Sequence, residues 1–341
     1  MARPRCGAAA DRLAFTAVVP AHQAATTIRR CISSLRRAGF GAEEILVVDD
    51  GSRDGTGEVA RGDGVRVLRH EFPLGPARAR NAGAAATEAD ILLFVDSDVL
   101  VAPGARDRLH AFFVDHPGHV AIFGSYDDAP DVIGSLSRYR NLLHHFVHQQ
   151  SEPEAATFWT GFGAMRRAAF DASGGFDFAW ESIEDVELGL RLTSAGARIR
   201  LDRTLLCKHL KEWTLSGMFR TDWKGRAVPW ARLLMSKRAG VGDLNLSRSH
   251  RASGALVLLM PIGLVLGLAW PSLAWVAPAT LGAFLCINAP FLSFLRSRGG
   301  ISLALRGIAY HLVHYAAADL GYLQVRLARD PRRTPRRSDR P

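Results

Sequence analysis

The sequence predicts an α/β fold with a mostly parallel, helix-covered sheet, followed by a transmembrane helical hairpin. Three observations carry this expectation. Strand-like and helix-like segments alternate from Leu13 to about Asp98. Two short apolar runs, Ile45 to Val48 and Ile91 to Val95, each end in an acidic cluster, and no charged side chain occurs between Gly254 and Leu295. Alternation of this kind builds a parallel sheet between helices. Apolar runs of four or five residues suit strands buried on both faces. A charge-free stretch longer than about 20 residues suits the hydrocarbon core of a membrane.

In chain order, strands are expected at Leu13–Val19, Ile45–Val48, Val65–Arg69 and Ile91–Val95, and helices at Ala24–Ala38, Arg53–Arg61 and Gly75–Ala86. Gly104 to His116 reads as a further helix and Val120–Gly124 as a further strand. Asp131 to Gln150 places Leu136, Tyr139, Leu143 and Val147 at helical spacing, and Ser151-Glu152-Pro153-Glu154 breaks it. Thr157 to Arg166 is expected to be extended and Asp185 to Ala195 helical. Pro271-Ser272 divides the charge-free stretch into Gly254–Trp270 and Leu273–Leu295, the two limbs of the hairpin. The expected organisation is thus a tail at 1–12, a catalytic domain at 13–212, an amphipathic interfacial segment at 213–253, the hairpin at 254–295, an interfacial helix at 296–325 and a basic tail at 326–341.

The net charge of +10 is unevenly placed. Half of it lies in the last sixteen residues, where seven arginines face two aspartates. A basic tail beside apolar helices reads as a membrane-surface anchor rather than a nucleic-acid footprint, and no nucleic-acid-binding motif accompanies it. No nucleic-acid partner is expected. Arg248 and Arg251 precede the hairpin and Arg296 and Arg298 follow it, so both ends are expected in the cytoplasm. Ile301–Val325 carries Arg306, His311, His314 and Asp319, which suits the interface better than a third span. Asp11 and Arg12 interrupt any signal-peptide core, so the catalytic domain is expected to face the cytoplasm. Cys6, Cys31, Cys207 and Cys286 have neither metal-ligand nor disulfide-framework spacing.

The chemistry is expected where strands end. Open α/β sheets bind ligands at the carboxyl ends of their strands. Val47-Val48-Asp49-Asp50-Gly51-Ser52 ends one strand and Val95-Asp96-Ser97-Asp98 another. Two carboxylates at i and i+2 supply hard oxygen ligands for a divalent ion on phosphate. Ser182-Ile183-Glu184-Asp185 opens a later helix, where the amino-terminal dipole favours negative charge. His144 and His148, one turn apart, have zinc spacing without a third ligand.

Taken in order, the motifs from Val18-Val19-Pro20-Ala21-His22 through Asp50, Asp96-Ser97-Asp98 and Glu184-Asp185 resemble family 2 inverting glycosyltransferases of the GT-A fold. The resemblance covers about residues 13 to 230 and implies a Rossmann-like, mostly parallel sheet. It implies a nucleotide-diphosphate sugar donor, a UDP-sugar foremost, lined by Pro20, Ala21, Asp50, Arg80, Asp96, Gly161 and Gly163. Asp50 would accept from the imide N–H of the base. Arg80, in Ala79-Arg80-Asn81, either reaches the donor or stands solvated on a helix face. Asp98, Asp96 and His209 would hold Mn²⁺ or Mg²⁺. Asp185, paired with Glu184, would be the general base.

Trp213, Phe219, Trp223 and Trp230, interleaved with Lys211, Arg220, Lys224 and Arg226, suit a headgroup layer and point to a lipid or lipid-linked glycan acceptor. Processive polysaccharide synthases of the family carry Gln-x-x-Arg-Trp in this region. Trp223-Lys224-Gly225-Arg226-Ala227 departs from that pattern. Processive synthesis and a catalytically silent scaffold of the same fold are the alternatives.

Overall fold

The computed structural model describes residues 13–180, 182–236 and 248–328. The tail at 1–12, with Cys6, and all but the first three residues of the basic tail lie outside the described residues.

The described residues form one nine-stranded sheet. Its strands are β1 (Phe15–Ala21), β2 (Ile45–Asp50), β3 (Arg66–His70), β4 (Ile91–Val95), β5 (Val99–Val101), β6 (His119–Tyr126), β7 (Glu154–Ala155), β8 (Phe162–Arg166) and β9 (Arg198–His209). The order is β3-β2-β1-β4-β8-β6-β9-β5, with β7 on β9. β1 to β4 are mutually parallel, and β9 runs parallel to β6; β8 lies antiparallel between β4 and β6. β2 and β4 are buried along their whole length, as their apolar runs Ile45–Val48 and Ile91–Val95 require; the buried Asp49 and Asp50 that end β2 are hydrogen-bonded.

Successive side chains alternate between the two faces. Ile45, Val47, Leu93 and Val95 face one layer, with Ile28 and Leu35 of α1 (Ile28–Arg37) and Leu109 and Phe113 of α4 (Ala105–Asp115). Val48, Leu92 and Phe94 face the other, over α3 (Pro76–Ala85), α6 (Arg167–Ser173) and α7 (Glu184–Ser194). On that side Phe94 sits 5.0 Å from Phe176 and 5.6 Å from Phe170, ring centre to ring centre. Truncating a ring so enclosed to alanine costs about 3–5 kcal/mol. The short α2 (Thr56–Gly62) follows the β2 turn, where Asp49, wholly buried, accepts from the Ser52 N–H at 3.0 Å and from Arg69 at 2.8 Å.

α5 (Ser135–Gln150) packs on β6 and carries the second part of the molecule. That part is α8 (Leu215–Arg220), a π-helical turn at Thr221–Ala227, α9 (Val228–Met235), α10 (Arg248–Ala269), α11 (Val276–Ile287) and α12 (Ala289–Arg326). Of the described helices, α10 alone is long and apolar enough by itself to cross a membrane.

The second limb differs from the single helix expected at Leu273–Leu295. It ends at Ile287, and the chain bends by 66° before α12. Pro290 has no N–H to continue the helix. The Asn288 amide donates instead to Ser253 Oγ at 3.0 Å and to the Phe284 carbonyl at 2.9 Å.

α12, kinked at Gly299-Gly300, turns His311 and His314 toward the rest of the molecule, while Arg306 stays exposed. His311 lies 2.7 Å from the Tyr139 hydroxyl and 3.0 Å from Asn288 Oδ1. His314 lies 2.8 Å from Asp222, which also pairs with buried Arg140 at 2.9 Å. The residues expected to form an interfacial helix are therefore docked on the catalytic domain, while Ile301, Leu305, Leu320 and Tyr322 remain exposed on the outer face.

Candidate active site

The parallel strands bring their carboxyl ends to one edge of the sheet: Ala21, Asp50, Val95 with Asp96-Ser97-Asp98 beyond it, Tyr126 and His209. β8 enters the same edge just after Thr160 and Gly161. The cleft there measures about 410 Å³ and is lined by His22, Thr27, Ser97, Asp98, Lys211 and Glu212, among others. Clefts of this size hold small ligands.

Next to the residues that line the cleft, Asp96 takes part in a largely buried bridge. Arg80, on α3, donates through Nη2 to Asp96 at 2.8 Å and through Nη1 to Glu184 at 2.6 Å. Burial alone would lower the pKa of this guanidinium, but Asp96 and Glu184 raise it. Glu184 is itself pushed upward by burial, against the pull of Arg80 and with the help of Asp185. Neither Arg80 Nε nor Glu184 Oε2 has a hydrogen-bond partner. A planar fork suits this double contact, which a lysine could not make.

Asp98 lies outside the bridge. Its Oδ2 is 3.3 Å from His209 Nε2, and its carbonyl accepts from the Leu210 N–H at 2.8 Å. Burial would raise Asp98, yet the contact with His209 and the charge of Lys211 hold it below the usual carboxylate range. Neighbouring ligand atoms around an octahedral ion stand about 3 Å apart when the bonds are about 2.1 Å. Asp98 and His209 thus fit one edge of such a site. Arg80 engages Asp96 Oδ1, and among the described residues no group of three or more His, Cys, Asp and Glu side chains gathers as a metal cage.

Asp185 stands in the first turn of α7, half-buried. Its Oδ2 accepts from the Thr160 N–H at 3.0 Å and from the Thr160 hydroxyl at 3.1 Å. Ser182, just before the acidic pair, is held at φ +73°, a region L-residues rarely adopt. Gly225 of the π-helical turn lies against it, its Cβ position 3.8 Å from Ser182 Oγ. π-Helical turns occur frequently at functional sites.

Other expected donor contacts take different parts. Asp50, 4% exposed, is engaged on both oxygens: His70 Nδ1 lies 2.7 Å from Oδ1, and the Leu74 and Gly75 N–H groups donate at 2.8–3.1 Å. Three donors share the two oxygens, the Leu74 N–H lying between them, so Asp50 pins the 70–75 loop in this conformation. Gly161 and Gly163 are buried rather than turned to the cleft. A Cβ on Gly161 would strike the Trp159 ring at 2.2 Å, and one on Gly163 the Trp159 carbonyl at 2.2 Å, so both permit close packing under that side chain. Pro20 and Ala21 end β1 beside β2, and the His22 ring lies 2.8 Å from the Asp50 carbonyl.

His144 and His148 have rings 4.2 Å apart, packed on Trp159, with burial pushing His148 down to about 4. They form a packed pair, and among the described residues no third metal-ligating side chain gathers with them. The bridging arginine and the Thr160 clamp were not legible as such: Arg80 carried a signal as part of Ala79-Arg80-Asn81, and Gly161 and Gly163 marked the segment around Thr160, but neither pointed to Thr160 as a partner of Asp185.

Residues 16–174 match glycosyl transferase family 2. This region is a glycosyltransferase family 2 domain. The match stops before Glu184-Asp185 and His209, so those positions rest on the geometry above. Among relatives of the family 2 domain, the pre-mycofactocin glycosyltransferase of Mycobacterium tuberculosis is 31% identical over 245 residues, covering 68% of this chain and 50% of that protein. The validoxylamine A glucosyltransferase of Streptomyces hygroscopicus subsp. jinggangensis is 28% identical over 227 residues, covering 55% of this chain and 53% of its own. The chain spans about half the length of the curated relatives it matches. Among solved structures, the mannosyltransferase PcManGT from Pyrobaculum calidifontis, in complex with GDP-Man and Mn²⁺, superposes with a TM-score of 0.57 at 19% identity, covering 92% of this chain and 87% of that one. The α/β fold around the family 2 domain is accordingly the GT-A glycosyltransferase fold.

Proposed function

We propose that this chain is an inverting glycosyltransferase that moves a sugar from a nucleotide-diphosphate donor to the hydroxyl of a lipid or lipid-linked glycan acceptor. The observation that carries the reading is the Arg80 bridge, which ties Asp96 on the Asp98 side to Glu184 beside Asp185. Asp98 and His209 would hold Mn²⁺ or Mg²⁺, the remaining positions going to donor phosphate and water. Such an ion would neutralise the departing diphosphate. An imidazole ligand suits Mn²⁺ better than Mg²⁺.

Asp185, oriented by Thr160, accepts the proton as the acceptor oxygen attacks the anomeric carbon. The bond from that carbon to the diphosphate oxygen breaks, and its electron pair leaves with the diphosphate. One displacement inverts the configuration. Arg80 holds Asp96 and Glu184 in place during the step, and its charge lowers the electrostatic cost of negative groups crowded at one edge.

The test is calorimetry with UDP in the presence and absence of Mn²⁺, with GDP as the second nucleotide. Asp98→Ala should lose the metal-dependent part of nucleotide binding. Equal affinity in wild type and variant would remove Asp98 from the metal site.

Support for a membrane acceptor comes from α10, which exposes Leu258, Ile262, Leu264, Val265 and Leu268, and from the uncharged connector to α11, which exposes Trp270 and Trp275. Aromatic residues at such a connector suit a membrane interface. We place both ends of the hairpin on the cytoplasmic side, where the docking of α12 on the catalytic domain keeps Ser297. Single cysteines can test this in a background without the native thiols. In inverted membrane vesicles an impermeant thiol reagent should label Ser297→Cys and spare Ser272→Cys. Equal labelling of the two would mean that the hairpin does not enter the bilayer.

A further inference from the structure

His209 would be useful to an ion only if its ring edge points at Asp98, and nothing in the histidine itself fixes that. Rotation about the second side-chain torsion of histidine is soft and broad. Tyr126 supplies the constraint. It ends β6 as His209 ends the neighbouring parallel β9, with Tyr126 paired to Cys207 in the register. Its ring lies flat on the imidazole, with centroids 4.7 Å apart and planes 9° apart. Trp159 meets Tyr126 edge-on at 4.9 Å and 88°, and His144 packs on it at 4.6 Å. Tyr126 is 7% and His209 8% exposed, so neither ring has room to turn out of the stack. The one free direction for the imidazole is in its own plane, and there Nε2 reaches Asp98 Oδ2 at 3.3 Å.

We propose that Tyr126 is a positioning residue for the metal corner, holding His209 in the plane that lets it share an ion with Asp98. This rests on the reading of Asp98 and His209 as ligands. It also gives Trp159 and His144 a part: they are the back wall that keeps Tyr126 flat, which accounts for a histidine and a tryptophan packed behind a strand end.

Mn²⁺ binding to the full-length protein at saturating UDP, followed by calorimetry and by the Mn²⁺ spin-resonance signal, tests it without any turnover. Tyr126→Phe keeps the stacked ring and should bind as wild type. Tyr126→Leu should bind about tenfold more weakly, the usual scale for losing the group that orients a ligand. His209→Ala should also weaken binding, and adding Tyr126→Leu to it should change nothing more. A further loss in the double variant would make Tyr126 a general packing residue and overturn the proposal, as would wild-type affinity in Tyr126→Leu. Wild-type affinity in His209→Ala would remove the ligand reading itself, and the proposal with it. Thermal unfolding of each variant separates weak binding from poor folding.

Discussion

Asp185→Asn is expected to lower turnover about 10³-fold while nucleotide-diphosphate affinity stays at the wild-type value, because general-base catalysis contributes roughly 10²–10⁴. The amide can still accept from the Thr160 N–H and hydroxyl that hold Oδ2, so the loop and α7 keep their places. What is lost is the ability to take a proton. Turnover with a nucleotide-sugar panel, set beside calorimetric UDP binding, gives both numbers. A variant that keeps a tenth or more of the rate would show that the acceptor proton goes elsewhere. Retention of the anomeric configuration in the product would do the same for the single displacement.

Arg80→Ala is the second change with a large expected effect, and it falls on stability first. The side chains of Arg80 and Glu184 are 6% and 5% exposed, and the variant leaves Glu184 as a buried charge without a cation. Removing one partner of a buried pair costs about 3–5 kcal/mol. Thermal unfolding should show the loss, and Arg80→Lys should recover little of it, since one ammonium cannot span both Asp96 and Glu184. The pH dependence has a definite sign. Burial already raises Glu184, and without Arg80 its carboxyl rises further. A carboxyl raised in the folded state binds protons that the unfolded chain has released, so stability falls as pH rises through the folded value and recovers below it. The deficit of Arg80→Ala should therefore shrink on acidification from neutral pH. A deficit that is constant or grows would mean that Glu184 is not the charge left behind.

Much of this was legible in the chain because short-range patterns carried it. Ile45–Val48 and Ile91–Val95 are unbroken apolar runs, and an acidic cluster after each marks a strand end as a ligand edge. Glu184-Asp185 was readable for the same reason, being acidic residues at a helix start. β9 carries its own local signal, Arg198-Ile199-Arg200-Leu201 alternating as a half-exposed strand does, but its length and its partners β6 and β5 lie beyond what the local sequence states. The same applies to His311 and His314. Their polarity suggested an interface with lipid headgroups, whereas each is matched to Tyr139, Asn288 or Asp222 on elements the local sequence cannot name. Asp50 shows the limit from the other side. Its motif reads as a ligand contact, but the groups that meet it are the His70 ring and the Leu74 and Gly75 N–H groups, and the two backbone donors leave no trace in residue identity.

The pairing of β9 with both β6 and β5 also sets when the site can exist. Asp98 and His209 stand about a hundred residues apart in the chain, and closing so long a loop is a late, entropically costly event in folding. During synthesis β1 to β4 leave the ribosome first, with Asp50, Arg80 and Asp96 already made. The nascent chain then has neither Glu184 for the bridge nor His209 for the corner. Both arrive with α7 and β9, roughly 4 to 20 seconds after β4 at about 5–20 residues per second. Asp96 thus has its Arg80 partner early, whereas Asp98 meets His209 and Arg80 meets Glu184 only when the later elements dock, and a chain stalled before residue 209 lacks the Asp98–His209 corner.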